Sequence, residues 1–398
     1  MPSQFREVII AGACRTPIGA FGGMLAALSA PELGAIVVKE AVRRAGLEAK
    51  KIDEVIMGCV LPAGVGQAPA RQAAIKAGLP EQVTCMTINK VCGSGLKAVM
   101  LAAQAVMLGD ADVIVAGGME SMSNVPYYLP KARTGYRLGH GELIDGMIKD
   151  GLWDVYNDFH MGNAAELCAR ECRISREAQD EYAVASYRRA LAAQEKGLFA
   201  KEIVPAPTPQ KKGEAIFMKD DEEPGKANFE KMKTLKPAFD KEGSVTAANA
   251  SKLNDGAAAM IVMAKEIAER LGVKPQARIV SQTSAAKKPE WFTTAPIDAI
   301  EKILKKSGLA LNQIDLFEIN EAFAVVNLAA QQQLGIPLEK MNVHGGAVAL
   351  GHPIGGSGSR ILVTLLYALE QYKKRHGLAA ICIGGGEASA VLVENLVR

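Results

Sequence analysis

An excess of charge of either sign is missing from this chain. Its 398 residues carry 46 Lys and Arg against 43 Asp and Glu, a net of +3, and the basic residues are scattered. A nucleic-acid protein would show a basic face or stripe, so no nucleic-acid partner is expected. Long apolar runs are missing too. No stretch approaches the ~20 uninterrupted residues of a membrane span, so no membrane partner is expected. The opening "MPSQFREVII" has neither an apolar h-region nor a small-residue cleavage site, and no secretory signal is expected. A regular cysteine framework is also lacking. The seven cysteines (14, 59, 85, 92, 168, 172 and 382) are odd in number and irregular in spacing. They read as reduced thiols of a cytoplasmic protein. Cys168 and Cys172 in "ELCARECRIS" share a helix face, but no His or further Cys follows nearby to make a metal site, and packing is the plainer reading.

What is present is apolar strand and helix in alternation. "EVIIAGACR", "IDEVIMGCV", "VTCMTIN" and "ADVIVAGGMES" read as strands. Between them, "APELGAIVVKEAVRRAG" is an amphipathic helix with Ser29 as N-cap and Gly46 as its stop. "PARQAAIKAGL" and the run after Cys92 are helical. Continuous apolar strands separated by helices predict a sheet covered on both faces, an α/β fold.

The pattern then recurs. Gly46 pairs with Gly308 and Asp53 with Asp315, 262 residues on, and Gly93-Ser94-Gly95 with Gly356-Ser357-Gly358, 263 on. "VIVAGGMES" is echoed by "AICIGGGEAS". Four features in one order at nearly one spacing predict two copies of one α/β unit. Residues 121–250 read differently. They hold a charged helical part, "SREAQDEYAVASYRRALAAQEKG", and a mixed-charge loop, "KKGEAIFMKDDEEPGKANFEKMKTLK". An insertion of this size over a duplicated core suits a lid or substrate-binding region.

Cys92, in "NKVCGSGLKAVM", stands at a strand-to-helix junction. Free N–H groups and positive potential at a helix start favour thiolate, and can draw a thiol from ~8.5 toward ~3.5–7.5. The glycines would let a reactant approach the backbone. A small buried hydrophobe is the alternative. The second copy supplies "NVHGGAVALGHPIG", in which His352 lies three residues before Gly355, the counterpart of Cys92. If the copies face each other, the imidazole can take the thiol proton. His344 competes, but it precedes the turn glycines. Cys382 ends the strand "LAAICIGGG" where the first copy has Ala116. It is either a core cysteine or a second thiol for proton transfer to carbon. Asn320 in "EINEAFA" is an oxyanion donor or an N-cap. The N–H groups of Gly384 and Cys92 are candidate donors as well. Two thiols, an imidazole and an amide together suit acyl transfer through an acyl-cysteine. A cysteine hydrolase would leave Cys382 without work.

These residues resemble the thiolase family, and within it the biosynthetic acetoacetyl-CoA branch. "RTPIGAFGG", "NKVCGSGLKAV", "NASKLNDGAAA", "NEAFA", "GGAVALGHPIGGSG" and "CIGGG" stand in family order over essentially the whole chain. The resemblance implies a layered α-β-α-β-α thiolase fold. Residues 1–120 with 251–270 would form one half, 271–398 the other, and 121–250 the loop domain that holds coenzyme A. It implies Cys92 as acyl-accepting nucleophile, His352 as its base, and Cys382 as acid/base at the substrate α-carbon. Asn320, holding a water, and His352 would make one oxyanion hole, and the N–H groups of Cys92 and Gly384 the other. His160 would contact the thioester and Met161 would limit acyl length. Leu152, Leu235, Phe239, Ala250, Ser251, Ala322 and Phe323 would line the pantetheine tunnel. Lys231, Lys233 and Lys236 either attract the coenzyme phosphates or form a solvated face. Acetyl-CoA, acetoacetyl-CoA and CoA are the implied substrates, with no other cofactor and no metal, in a cytoplasmic homodimer or homotetramer. A degradative 3-ketoacyl-CoA thiolase and a catalytically silent CoA- or lipid-binding protein are the rival readings. Three departures from the family pattern stand out: Lys252 where glycine is usual, Phe292 where the branch often has methionine, and Glu387-Ala388 after the glycine triplet.

Overall fold

The computed structural model describes residues 5–209, 213–214 and 216–397. Lys211, Lys212 and Ala215 of the mixed-charge loop lie outside them. The main strands are β1 (Val8–Arg15), β2 (Glu54–Gly58), β3 (Thr84–Ile88), β4 (Val113–Ser121), β5 (Asn254–Ala264), β6 (Ala277–Ala286), β7 (Leu316–Ile319), β8 (His376–Ile383) and β9 (Glu387–Asn395). The main helices are α1 (Ala30–Arg44), α2 (Pro69–Lys76), α3 (Ser94–Leu108), α4 (Met161–Glu171), α5 (Arg176–Glu195), α6 (Ala295–Ser307), α7 (Ala324–Leu334) and α8 (Ile354–Gln371). Helix α1 begins as its sequence requires: the Glu32 carboxylate accepts the Ser29 N–H at 2.9 Å, and Gly46 turns the chain at φ +68°.

The strands join in the order β7-β8-β9-β6-β1-β5-β4-β2-β3, with Gly19–Ala20 as a short tenth strand beside β5. Outward from the β1/β6 seam, both directions repeat one plan. β5 and β9 pair antiparallel with their neighbours, whereas β2 with β4 and β7 with β8 are parallel. The seam itself is narrow, Ile9 opposite Arg278 and Ile10 opposite Ala277. Where the first copy has β3, the second has one bridge from Phe317 to Met341. The paired aspartates found in the sequence do the same work in each copy. Asp53 accepts the N–H groups of Asp112 and Val113 at the start of β4, both at 2.8 Å. Asp315 accepts those of Arg375 and His376 at the start of β8, at 3.0 and 2.9 Å.

Helices α3 and α8 pack on each other between the strands of the two copies; α1 and α2 cover the first copy and α6 the second, with α7 packed on α6. The layers are thus α-β-α-β-α. Helix α8 is buried on every side from Ile354 to Leu369, Ser357, Arg360 and Thr364 included. The run Val91–Leu108 is 18 residues long and apolar enough to pass for a membrane span, a window the sequence reading overlooked. It contains the other central helix, α3 (Ser94–Leu108), whose apolarity serves this sandwich.

One glycine of each Gly-Ser-Gly motif, Gly95 and Gly358, sits where α3 and α8 cross. A Cβ on Gly358 would come within 2.4 Å of the Leu96 nitrogen, and one on Gly95 within 2.8 Å of the Ser359 nitrogen. Gly95 and Gly358 therefore admit a neighbouring helix, whereas a Cβ on Gly93 would meet the Ile383 side chain and one on Gly356 the backbone of Gly256. The insertion between β4 and β5 carries α4 and α5. It is fixed to the core at Arg15, whose guanidinium donates to Asp221 at 2.6 and 2.9 Å and to Glu202 at 2.6 Å, with all three side chains fully buried.

Candidate active site

The turn from β3 into α3 carries Cys92. Val91, just before it, adopts φ +45°, a left-handed conformation that a β-branched residue enters only under strain. Side chains hold the turn. Asn89 Oδ1 accepts the Val91 N–H at 2.9 Å, and the Ser94 hydroxyl accepts from Lys90 N at 2.8 Å and donates to Val91 O at 2.7 Å. The serine of Gly-Ser-Gly is thus a brace for the turn that presents the thiol. No sequence signal marked Val91 as the strained residue.

Cys92 opens on a cavity of about 760 Å³. His352 and Gly384 share its wall, as do Leu152, His160, Met161, Phe239, Ala250, Ser251, Ala322 and Phe323. Three distant segments of the second copy and the insertion therefore meet at the first copy's thiol. Asn320 and Cys382 lie behind this lining, fully buried. The Cys382 thiol is pushed up by burial first and then by a charge on Cys92. Leu235 does not line the cavity. It packs against the cluster that holds Met232 together with Ile18, Val348, Ala349 and Leu350 of the core, and its carbonyl accepts from Arg176 at 3.0 Å. Lys231, Lys233 and Lys236 are exposed.

The chemistry follows from the local hydrogen bonds. His352 Nδ1 is 2.6 Å from the Ser357 hydroxyl, which itself donates to Pro353 O at 3.0 Å. With the one hydroxyl hydrogen committed there, Nδ1 is the donor and carries the ring proton. The bare Nε2 has no partner among the described residues. Burial holds His352 down at about 3, so the ring is neutral and Nε2 is free to accept a proton. Both polar atoms of the Asn320 amide likewise lack a partner, which suits groups reserved for a substrate oxygen. His344 is elsewhere, edge-on to Phe199 at 5.8 Å and outside the cavity lining.

The thiol departs from its expected state. Burial pushes Cys92 up to about 11, although the N–H groups of Gly384 and of Cys92 itself pull the other way. Desolvation of the thiolate outweighs the helix start here. Sequence reasoning also missed Glu120. Its buried carboxylate accepts N–H groups from Val60, Leu61 and Gly355 at 3.0, 3.2 and 2.8 Å. It ties the end of β4 to the start of α8 and to the loop after β2. Met122, Met147 and Ile354 were missed as well; they pack together beside Cys92, and nothing in their spacing foretold it.

His160 caps α4, its Nδ1 accepting from Gly162 N at 3.0 Å, and it stacks on Phe239 at 4.8 Å. Phe239 and Phe292 both meet Phe323 edge-on, at 6.1 and 6.3 Å. Cys168 and Cys172 lie 4.0 Å apart, and the described residues hold no group of three or more His, Cys, Asp or Glu that could bind a metal.

The comparisons with known proteins agree along the whole chain. The family model described as "Thiolase, N-terminal domain" matches residues 8–266, and "Thiolase, C-terminal domain" matches 273–395. The acetyl-CoA acetyltransferase of Cupriavidus necator is 55% identical over 390 residues, 98% of this chain and 99% of the relative. Acetyl-CoA acetyltransferase 1 of Arabidopsis thaliana is 53% identical over 393 residues, 98% of this chain and 95% of its own. A thiolase from Ascaris suum, solved in complex with coenzyme A, superposes with a TM-score of 0.94 at 44% identity and covers 98% of this chain and 100% of its own. The Bacillus anthracis acetyl-CoA acetyltransferase gives 0.96 at 42% identity, over 99% and 100%. On these matches, this chain belongs to the thiolase family.

Proposed function

We propose that the protein is an acetyl-CoA acetyltransferase. It joins two acetyl-CoA molecules into acetoacetyl-CoA and CoA, reversibly, through an acetyl group carried on Cys92. The observation that carries this reading is the pair of thiols. One belongs to each copy: Cys92 lines one cavity with the neutral imidazole of His352, and Cys382 is buried behind its wall.

In the first step the Cys92 sulfur attacks the acetyl carbonyl while His352 Nε2 takes the thiol proton. The C–S bond to CoA breaks, and Cys382 gives its proton to the departing CoA thiolate. The Cys382 thiolate then removes a proton from the methyl carbon of the second acetyl-CoA. The resulting enolate attacks acetyl-Cys92 and forms the carbon–carbon bond. The Cys92 thiolate leaves and recovers its proton from His352. Both steps pass through an oxyanion, and a well-placed donor stabilises such a species by roughly 3 kcal/mol. The amide of Asn320 and the N–H groups of Cys92 and Gly384 are the donors in this scheme. Thiols and imidazole account for every bond change, so the scheme requires no cofactor beyond the thioesters themselves.

Residues 121–250 act here as the loop domain for coenzyme A, between halves 1–120 with 251–270 and 271–398. Exposed Lys231, Lys233 and Lys236 draw in the phosphates. Met161, with Phe292 and Phe323 in the same cavity wall, keeps the acyl end short. A cytoplasmic homodimer or homotetramer completes the reading; free thiols throughout support the compartment. Mass spectrometry after mixing with acetyl-CoA tests the chemistry. Acetyl should appear on Cys92, be absent in Cys92→Ala, and persist in Cys382→Ser, which turns over very slowly. Equal loss of acetylation in both variants would refute the division of roles. Strong activity on ketoacyl chains of eight or more carbons would favour the degradative thiolase instead.

A further inference from the structure

Lys252 replaces the glycine usual in the family, and the scheme above gives it no work. Its side chain lines the cavity. Its ammonium does not end among lining residues. It donates to the Tyr187 hydroxyl and, at 3.2 Å, to the carbonyl of Val348. Neither residue belongs to the cavity wall. Tyr187 is on the insertion helix α5, and Val348 is in the short helix Ala347–Leu350 that leads into His352.

The surroundings give this contact leverage. The Val348 N–H donates to Glu321 at 3.0 Å, so both backbone groups of Val348 are held by side chains. Glu321 also accepts from Tyr182 and Ser186 on α5, both at 2.8 Å. The segment that bears Lys252 touches the other catalytic loops. Ser251 N donates to Ala322 O at 2.9 Å, and Asn254 Oδ1 accepts the His352 N–H at 2.9 Å. Lys252 thus joins three parts of the chain beside the imidazole: the insertion, the 251–254 segment and the approach to His352. Its partners are neutral oxygens, and Glu223 favours its charge from farther off.

We propose that Lys252 is a positioning residue, whose ammonium ties the helix leading into His352 to α5 and so sets the imidazole at its working place against Cys92. This rests on the acetyl-transfer reading. A substrate-anchoring lysine would aim its ammonium into the cavity, whereas this one is spent on Tyr187 and Val348. Misplacing a reacting group by about 1 Å costs up to about 100-fold in rate.

The test uses the full-length enzyme. Lys252→Met keeps the stem and removes the donors; Tyr187→Phe keeps the lysine and removes one partner. The rate of Cys92 acetylation, kcat and KM for thiolysis of acetoacetyl-CoA, and Tm are measured for each. Lys252→Met should lower acetylation and kcat together by about 10- to 100-fold, with KM for CoA changed by no more than about twofold. Lys252→Gln, which restores a donor, should recover part of the rate. Tyr187→Phe should show a smaller loss in kcat, also without a change in KM, and it answers the question if the lysine variant does not fold. A raised KM with unchanged kcat overturns the proposal in favour of direct contact with coenzyme A. A lowered Tm with wild-type kcat overturns it in favour of a packing role. If the wild-type protein is acetylated and both variants match it, positioning alone fails. If the wild-type protein takes no acetyl group, the acetyl-transfer reading falls and this proposal with it.

Discussion

At the scale of single residues, the free enzyme holds a neutral thiol beside a neutral imidazole. Burial raises Cys92 to about 11 and lowers His352 to about 3. A resting thiolate–imidazolium pair would need both shifts reversed. Alkylation by iodoacetamide follows the thiolate fraction, so its rate at Cys92 should keep rising as the pH is taken from 7 through 9. A plateau below pH 8 would show that the ion pair exists before substrate arrives. The proton therefore moves during attack, and the Ser357 contact matters because it leaves Nε2 bare. Cys92 and Cys382 stood out in the sequence against their counterparts Gly355 and Ala116, and His352 by its place three residues before Gly355. Their protonation was not legible there, since desolvation depends on neighbours supplied by remote segments. Leu235, expected in the tunnel, lies outside the cavity lining and packs beside Met232, a neighbourhood that sequence order alone does not reveal.

At the scale of elements, the crossing of α3 and α8 sets the distance between nucleophile and base. Both catalytic turns stand just ahead of these helices, so a change at the crossing moves one relative to the other. Gly358→Ala would place a Cβ 2.4 Å from the Leu96 nitrogen. That atom is backbone and cannot swing aside. The expected cost is about 1–3 kcal/mol of stability, as for other overpacked contacts. Acetylation of Cys92 should slow more than the population of folded enzyme explains, by up to about 100-fold. Urea unfolding and single-turnover acetylation measure the two effects separately. If the rate per folded molecule is unchanged, the crossing does not govern the site. The duplication itself was readable, because Asp53 and Asp315 must each meet two N–H groups and Gly95 and Gly358 must each admit a helix. The missing counterpart of β3 was not readable, because a single bridge at Met341 leaves no period in the sequence.

At the scale of the whole molecule, the question is how a surface insertion keeps its cavity wall in register with a core assembled from two copies. Arg15 answers it. It ends β1, its backbone pairs with Glu202 and Val204 at 2.9 and 2.8 Å, and its guanidinium is shared by Glu202 and Asp221. Asp221 also accepts the Ile18 N–H at 2.8 Å. Replacing a buried ion cluster with apolar groups can be neutral, but removing one member leaves its partners charged and dry. Arg15→Ala strands two carboxylates at once. The expected loss is about 3–5 kcal/mol, felt first where the insertion meets β1. Limited proteolysis should then cut within residues 121–250 before the core, and KM for CoA should rise before kcat falls. Cleavage that begins in the β-sheet core would mean that the cluster supports the whole fold and does not specifically fasten the insertion. The anchor lies in the "RTPIGAFGG" motif, more than 180 residues from its acidic partners. The sequence marks the arginine, and only the folded chain reveals which wall of the cavity it holds.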